Sequence, residues 1–235
     1  MTTLLSERAQ AGLSKIAVVI PVLNDRDHLR RLLTTLERHP DLELVVVDGG
    51  SSDNPQEISS RATFIQTTKP GRGRQVALGI KQATREWIWV LHADSFVHEE
   101  NVESIGTAIS QVRWGRFDVS LDGSRWEFRM IETLMNWRSR FTSICTGDQG
   151  MFFHQDILKQ IGGFPDQPLM EDVEVSKRLR KLAKPYCSNS RLGASTRKWE
   201  ADGTFRTVLR MWRYRIRYYF GASPDVLYSE YYRHR

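Results

Sequence analysis

Runs of consecutive apolar residues dominate the first ninety positions of the chain and predict buried strands. The clearest are 16–23 (IAVVIPVL) and 42–47 (LELVVV), followed by shorter runs at 63–67 and 87–91. Apolar runs rich in β-branched residues are typical of strands that are covered on both faces, as in a parallel sheet. The sequence therefore predicts four strands in this part of the chain.

Helical spacing of apolar residues separates these runs. Four leucines between residues 29 and 36 share one face of a predicted helix, and Asp25 is its predicted N-cap. A second helix is predicted over 75–83. The resulting order of strand, helix and strand predicts a parallel sheet with right-handed crossovers.

Beyond residue 98 the pattern is looser but still separates helices from strands. Helices are predicted over 99–112, 125–141 and 171–182, and strands over 117–121 and 151–154. No internal repeat or low-complexity linker interrupts the chain, so a single domain over residues 1–235 is predicted.

Composition excludes several classes of protein. The chain is 40% hydrophobic and 26% charged, as in ordinary globular proteins. Its two cysteines, Cys145 and Cys187, have no CxxC spacing and no neighbouring histidine cluster, which argues against a disulfide scaffold and a structural zinc site. No secretory signal or membrane-spanning run is recognised, so a cytoplasmic protein is expected.

The net charge of +6 is concentrated near the C-terminus. Residues 191–235 hold ten Lys and Arg against four Asp and Glu, and the rest of the chain is neutral. Residues 204–220 predict an amphipathic helix with arginines on one face. It either packs on the domain with its arginines in solvent or contacts the inner face of a membrane that contains anionic lipid. Nucleic acid is not expected as a partner, because no nucleic-acid-binding motif accompanies the charge.

Polar clusters follow three of the predicted strands. They are Asn24-Asp25, Asp48-Gly49 and His92-Ala93-Asp94. In a parallel sheet these strand ends converge at the edge where ligands bind. A single aspartate after a strand is explained equally well as a cap of the next helix. Three such clusters together favour a binding site.

Three further features suggest chemistry. His92 and Asp94 lie two residues apart, so in an extended strand end they would share a face and suit a divalent cation that also binds phosphate. Gly71 and Arg74, in the run GRGR, either bind phosphate or form a solvated basic turn. The carboxylates of 171–174 open a helix, where they either complement the helix dipole or supply a general base.

Taken together, the motifs resemble family 2 glycosyltransferases with the GT-A fold. The resemblance rests on 20–25 (IPVLND), 47–53 (VDGGSSD), 92–94 (HAD) and 162–164 (GGF) with Glu171-Asp172, and it covers roughly 15–199. It implies an α/β protein built as a GT-A type αβα sandwich with a mostly parallel central sheet, similar to nucleotide-diphospho-sugar transferases. It also implies inverting transfer from a nucleotide sugar, usually a UDP-sugar, to an acceptor hydroxyl, with Mg²⁺ or Mn²⁺.

The resemblance assigns roles to individual residues. Asp94 matches the last residue of the family's DxD motif and would bind the metal, with His92 beside it. Asp172 matches the catalytic base, and Trp199 stands where members place a tryptophan near the acceptor. The base and ribose would be held by Pro21, Val22, Asn24, Asp25 and Asp48. The remaining predicted site residues are Gly49, Gly71, Arg74 and Ala93 on the donor side and Gly147, Asp148 and Glu171 on the acceptor side.

The chain departs from the family pattern at three positions. Asp25 replaces a glutamate, His92 replaces the first aspartate of DxD, and Ala77 stands where many members have asparagine. The QxxRW motif of processive synthases is absent, so a single transfer is expected rather than polymerisation. The segments 146–150 and 168–174 resemble a small bacterial subgroup, some members of which are associated with arsenosugar biosynthesis.

Two alternatives belong to other classes. A sugar nucleotidyltransferase shares this kind of sandwich but would need a glycine-rich signature behind the first strand, where Pro21-Val22-Leu23-Asn24 stands. A non-catalytic protein that docks on membranes would not need Asp48, Asp94 and Asp172 together.

Overall fold

The computed structural model describes residues 5–67 and 71–233, and the strands within them form one sheet. In chain order they are β1 (Ile16–Val22), β2 (Glu43–Asp48), β3 (Thr63–Gln66), β4 (Trp87–Val90), β5 (Ser95–Phe96), β6 (Trp114–Leu121), β7 (Phe152–His154) and β8 (Tyr186–Ala194). Their spatial order is β3-β2-β1-β4-β7-β6-β8-β5.

Helices flank this sheet. They are α1 (Glu7–Leu13), α2 (Arg26–Leu36), α3 (Arg72–Gln82), α4 (Glu99–Ala108), α5 (Trp126–Thr142), α6 (Gln155–Gln160), α7 (Glu171–Leu179), α8 (Arg197–Asp202), α9 (Thr204–Tyr219) and α10 (Pro224–Arg233). None of those in the described residues is long and apolar enough to cross a membrane.

The half of the sheet built from the first four long strands is parallel, as predicted. β1 pairs in parallel with β2 and β4, and β2 pairs in parallel with β3. The other half is mixed: β7 is antiparallel to β4 and β6, whereas β8 is parallel to β6 and antiparallel to β5. The carboxyl ends of β1, β2 and β4 therefore meet at one edge, where open sheets of this kind bind ligands.

The core has two layers because side chains of β1 alternate between the faces of the sheet. Ile16, Val18 and Ile20 pack with the leucines of α2 and with apolar residues of α4. Ala17 and Val19 pack on the opposite face with apolar residues of α3, α6 and α7. Every residue of β1 is buried, which is why its sequence is a continuous apolar run. The predicted αβα sandwich is confirmed.

Several elements were not predicted from the sequence. They are β5 and β8 among the strands and α1, α6, α8 and α10 among the helices. β8 reads YCSNSRLGA and mixes polar with small residues, because only part of it is buried. β5 has two residues, too few for any periodicity to register. The strand predicted at 117–121 starts three residues earlier, at Trp114.

The predicted amphipathic helix at 204–220 exists as α9, but its packing differs from the first interpretation. Its buried residues are Thr204, Thr207 and Tyr214. Its large apolar residues are exposed instead, among them Leu209 and Trp212. The helix does pack on the domain, as the first of the two interpretations requires, but through a third face, and the apolar face is left exposed.

Candidate active site

Asn24 ties together the loops that follow β1 and β2. Its side-chain oxygen accepts hydrogen bonds from the backbone N–H (2.9 Å) and the hydroxyl (3.2 Å) of Ser52. Its own backbone N–H donates to the hydroxyl of Ser51 at 2.9 Å. Asn24 has a φ of +51°, a left-handed conformation that asparagine adopts more readily than most residues. Two of the predicted polar clusters, the loop of Asn24-Asp25 and the loop that begins at Asp48-Gly49, are therefore connected, and we call these two loops the rim.

Asp48 stabilises the second of these loops. Its Oδ1 accepts hydrogen bonds from the backbone N–H groups of Gly50 (3.2 Å) and Ser51 (2.9 Å) and from the Ser51 hydroxyl (2.6 Å). This local bonding is typical of an aspartate in a turn rather than of a helix cap. The carboxylate is buried at the strand end, and its second oxygen has no part in these bonds.

Gln75 of α3 holds the strand ends beneath the rim. Its Nε2 donates hydrogen bonds to the backbone carbonyls of Val22 and Val47, both at 2.8 Å. Pro21 is paired with Val47 in the sheet register. A Cβ at Gly49 would stand 3.1 Å from Gln75 Nε2, so the glycine permits this close approach.

A polar cavity of about 590 Å³ opens beside the rim, within the size range of small-molecule sites. Asp25 stands at the N-cap position of α2 but makes no capping bond, so the predicted cap is wrong. Its carboxylate lies 2.6 Å from His28 Nδ1 and 3.4 Å from Arg197 of α8. The cavity is lined by Asn24, Asp25, Arg26, Asp27, His28, Arg31, Ser52, Asp53, Asn54 and Arg197.

His92 pairs with Asp148 beyond the end of β4. Its Nδ1 lies 3.1 Å from Oδ1 of Asp148. Its Nε2 faces Gly147 so closely that a Cβ there would collide with it. Burial acts to raise the pKa of the Asp148 carboxyl, but the hydrogen bond from His92 and the charge of Arg72 outweigh it and hold that pKa below its usual range.

Arg72, Glu171 and Asp172 form a second charged group next to this pair. The Arg72 guanidinium is bonded to Glu171 and lies 3.8 Å from Oδ2 of Asp172. The same Oδ2 accepts a hydrogen bond of 3.0 Å from the backbone N–H of Gly147. Burial raises the pKa of the Glu171 carboxyl, and its Oε2 has no hydrogen-bond partner. A cavity of about 20 Å³, large enough for one water molecule, lies among these side chains and His92.

The glycines of the GRGR run allow α3 to approach the turn before α7. Gly71 has a φ of +136°, and a Cβ there would touch Pro168. A Cβ at Gly73 would clash with the carbonyl oxygen of Gln167 and stand 2.8 Å from Cβ of Glu171. The interpretation as a purely solvated basic turn is therefore wrong, because Arg72 reaches the charged group through this contact.

We expect Gly73→Ala to destabilise the protein by about 1–3 kcal/mol, because the new methyl group is forced against a backbone carbonyl. Urea unfolding followed by circular dichroism measures the change. Lys81→Ala, at an exposed position of the same helix, is the control and should change stability by less than about 0.5 kcal/mol. A gain in stability from Gly73→Ala, the usual effect of replacing glycine in a helix, would contradict the close contact.

Asp94 lies in a turn and not in an extended strand end as expected. β4 ends at Val90, and a hydrogen bond of 3.1 Å from the Ser95 N–H to the His92 carbonyl closes the turn. Burial raises the pKa of the Asp94 carboxyl, and the negative charges of Asp148 and Asp25 add to the effect. Ala93, between the two polar residues, is buried. The turn therefore brings Asp94 near carboxylates from two other loops.

The donor atoms around Asp94 fit a cation that is shared with phosphate. Within residues 5–67 and 71–233, no group of three or more His, Cys, Asp or Glu is arranged to hold a metal alone. Mg²⁺ commonly binds proteins through one or two carboxylates and takes its other ligands from phosphate and water. A cation would also offset the burial and the neighbouring negative charges that together raise the pKa of Asp94.

Two predicted site residues lie outside these groups. The Arg74 guanidinium is 3.0 Å from Asp225 of α10 and 3.9 Å from Asp166. Trp199 packs against an apolar cluster that includes Phe128 and Ile131 of α5.

Sequence reasoning considered the arginines of the GRGR run only as ligands of phosphate or as part of a solvated turn, and it missed the contacts that Arg72, Gln75 and Arg197 make. Arg72 is in the GRGR run and Arg197 lies two residues before Trp199. Nothing in the sequence distinguishes these residues from their neighbours. Their side chains act across 28 to 172 residues of chain, so only the fold shows their partners.

Comparisons with known proteins bear on the family and the fold of the chain. The chain is 26% identical over 250 residues to the probable glycosyltransferase YdaM of Bacillus subtilis, covering 92% of the chain and 57% of that protein. It is 26% identical over 149 residues to the uncharacterized glycosyltransferase YibD of Escherichia coli, covering 57% of the chain and 42% of that protein. The chain thus spans about half the length of these two relatives.

Two solved structures share the fold. The mannosyltransferase PcManGT from Pyrobaculum calidifontis, in complex with GDP-Man and Mn²⁺, has a TM-score of 0.64 at 17% identity and covers 93% of this chain and 69% of its own. TarS from Staphylococcus aureus, in complex with UDP-GlcNAc, has a TM-score of 0.63 at 17% identity and covers 78% of this chain and 59% of its own. The fold is therefore of the GT-A type.

The sequence pattern of the family described as Glycosyl transferase family 2 matches residues 17–162, which is more than half of the chain. This match includes the loops after β1, β2 and β4 and the pair of His92 with Asp148. The chain belongs to glycosyl transferase family 2.

Proposed function

We propose that this protein is an inverting, metal-dependent glycosyltransferase that transfers a sugar from a UDP-sugar to an acceptor hydroxyl. The observation that carries the proposal is the gathering of carboxylates from four separate segments, Asp25, Asp94, Asp148 and Asp172, at the carboxyl edge of the parallel strands. The polar cavity at the same edge has room for a nucleoside. Membership of the family favours this function over a sugar nucleotidyltransferase or a non-catalytic protein.

The donor side of the proposed site lies around the first two loops. Asn24, Asp25 and Asp48 hold the uracil and ribose, with Pro21 and Val22 beneath them. Structural neighbours were solved with UDP-GlcNAc and with GDP-Man and Mn²⁺, which supports a nucleotide sugar and a divalent metal in this chain. We propose that Asp94 holds Mg²⁺ or Mn²⁺, which would neutralise negative charge on the departing diphosphate.

His92 has a different proposed role from the one predicted. Its Nδ1 is engaged by Asp148 and its Nε2 faces Gly147, which leaves neither nitrogen directed at Asp94. We therefore propose that His92 orients Asp148 on the acceptor side and that the metal falls to Asp94.

The proposed base is Asp172. The acceptor oxygen attacks the anomeric carbon, the bond from that carbon to the diphosphate breaks, and the hydroxyl proton passes to Asp172. Its oxygens each accept one backbone N–H, from Gly147 and Val173, and keep further lone pairs for the acceptor. Glu171 is less suited, because one of its oxygens is bonded to Arg72.

The acceptor and the place of action are also proposed. The segments at 146–150 and 168–174, which resemble the arsenosugar-associated subgroup, contribute Gly147, Asp148, Glu171 and Asp172 to the site. This supports a small-molecule acceptor of that class, or a lipid-linked one, used in the cytoplasm at the inner face of a membrane that α9 contacts. We propose one domain over 1–235, with Trp199 supporting the acceptor side through its packing on α5.

We expect UDP with Mn²⁺ to raise the melting temperature of the protein. At a ligand concentration of about 100 times Kd, binding adds about 2.7 kcal/mol, which corresponds to about 5–10 °C for a chain of this size. Differential scanning fluorimetry with UDP, GDP and ADP, each with Mn²⁺ or with EDTA, measures the effect. A larger shift with GDP than with UDP would show that the donor carries guanosine and not uridine. If no nucleotide shifts the melting temperature, the proposed donor site is contradicted.

A further inference from the structure

Helix α5 exposes a stripe of large apolar side chains. The side chains of Trp126 and Phe141, at its two ends, belong to residues that are 68% and 81% exposed. At 100° per residue the members of the stripe fall within a sector of about 80°, so they form one continuous ridge. The stripe consists of Trp126, Met130, Leu134, Trp137 and Phe141.

Helix α9 exposes a second stripe of the same kind. Its members fall within a sector of about 100°, and the next sector of the helix carries Arg206, Arg210 and Arg213. The remaining face contacts the domain. The second stripe consists of Phe205, Leu209, Trp212, Ile216, Tyr219 and Phe220. Soluble monomers rarely expose contiguous apolar patches of this extent unless the patch binds something.

A pocket of about 210 Å³ beside the second stripe contains two arginines. Arg138 of α5 and Arg215 of α9 line it, together with apolar side chains of the second stripe. Neither guanidinium has an ion-pair partner in the described part of the chain, and Arg138 Nη2 and Arg215 Nε are buried without a hydrogen-bond partner. Burial lowers the pKa of Arg138 to about 10, and the like charge of Arg215 contributes. Two partly buried positive charges without a negative partner destabilise the folded protein, and a bound anion would remove this destabilisation.

We propose that the two stripes dock on a bilayer that contains anionic lipid, and that a lipid phosphate enters the pocket between Arg138 and Arg215. Trp and Tyr with arginine beside them are the side chains that favour the interface between headgroups and acyl chains. The negative surface potential of an anionic bilayer attracts each nearby arginine and strengthens binding. A bidentate guanidinium suits the oxygens of phosphate.

A second copy of the chain is a poorer occupant of this surface. Self-association by a two-fold axis would bring the same arginine-rich patch against itself and place like charges together. The anionic bilayer has the complementary charge, and its acyl region accepts the aromatic side chains.

Docking would place the acceptor side of the site near the membrane. Arg215 is close enough to Asp148, and Arg138 to Asp172, for their charges to act on one another. A hydroxyl on a lipid headgroup would then be within reach of the proposed base. This consequence rests on the proposed transfer, whereas the docking itself does not.

Sedimentation with vesicles tests the docking. We expect the protein to bind vesicles of phosphatidylcholine and phosphatidylglycerol (3:1), with at least tenfold weaker binding to phosphatidylcholine alone and strong inhibition by 0.5 M NaCl. Trp137→Ser with Phe141→Ser, and Trp212→Ser with Ile216→Ser, should each weaken binding at least tenfold. Arg138→Gln with Arg215→Gln should weaken it about 25-fold, since each of the two charges contributes about fivefold.

The control is Lys181→Gln with Leu182→Ser, which removes one exposed charge and one exposed apolar side chain in the turn after α7 and should bind like the unaltered protein. Circular dichroism checks that each variant is folded, including the arginine variant, whose side chains are partly buried. Binding to pure phosphatidylcholine with equal strength, or unchanged binding in both stripe variants, overturns the proposal. So does a dimer in analytical ultracentrifugation that the stripe variants dissociate. No nucleotide is present, so this outcome is separate from that of the UDP melting experiment.

Discussion

Asp172→Asn should reduce the rate of sugar transfer by about 10²–10⁴ while leaving donor binding intact. A hydroxyl is a poor nucleophile at neutral pH, so transfer depends on removal of its proton as the new bond forms. The amide keeps the size of the side chain and can still accept the hydrogen bond from the Gly147 N–H. Steady-state transfer with a radiolabelled UDP-sugar measures the rate, and the melting shift with UDP and Mn²⁺ checks donor binding.

Glu174→Gln is the matched control for this substitution. Glu174 lies in the same helical turn, but its carboxylate is bonded to Arg178 at 2.8 Å and accepts a hydrogen bond from Tyr218 at 2.8 Å. The transfer rate of this variant should stay within about threefold of the unaltered protein, because Glu174 does not line the small cavity of the candidate active site. If Asp172→Asn turns over as fast as the wild type, Asp172 is not the base, and Glu171 or Asp148 becomes the candidate.

Asp94→Ala should remove the contribution of the metal to donor binding. In the unaltered protein we expect Mn²⁺ to strengthen the binding of UDP, and in the variant UDP should bind equally with Mn²⁺ and with EDTA. The physical reason is that a carboxylate supplies charge and an oxygen ligand that no other residue of the turn replaces. Calorimetric titration of UDP at fixed Mn²⁺ gives both affinities.

His92→Ala should weaken the metal-dependent binding by less, about tenfold, since His92 acts through its neighbours. Asp156→Ala, at the opposite edge of the sheet, should leave both affinities unchanged. Equal losses from His92→Ala and Asp94→Ala would make His92 a direct metal ligand. An undiminished effect of Mn²⁺ in Asp94→Ala would place the metal elsewhere.

Local pattern was enough to predict the parallel half of the sheet. β1 and β2 are buried on both faces, so each consists of a run of consecutive apolar residues. Such a run can be recognised in the sequence without knowing which elements pack against it. The polar residues after these strands were predicted to converge for the same reason, since parallel strands end at one edge. The loops of Asn24 and Asp48 do lie together there.

The second half of the sheet was less predictable because its strands depend on distant partners. β8 pairs with β6 across more than sixty residues and keeps polar side chains where it is uncovered. β5 is two residues that become a strand only because β8 lies beside them. Neither element carries a periodicity of its own.

Which arginine lies in the candidate active site could also be decided only from the tertiary structure. Arg72 and Arg74 are two residues apart on α3, so they point in directions about 200° apart and only one can reach Asp172. Because Gly73 contacts the turn before α7, the Arg72 side chain reaches the carboxylates of that helix. The Arg74 side chain points the other way and pairs with Asp225 of α10. The sequence shows both as equivalent basic residues.

The amphipathic pattern of α9 illustrates the same division. The sequence by itself determined that residues 204–220 form a helix with an apolar stripe, because this depends on spacing alone. Which face is buried was decided by the shape of the surface beneath it: Thr204, Thr207 and Tyr214 meet the domain, and the stripe is left outside. Periodicity records which side chains lie together, whereas burial depends on what the rest of the chain places against them.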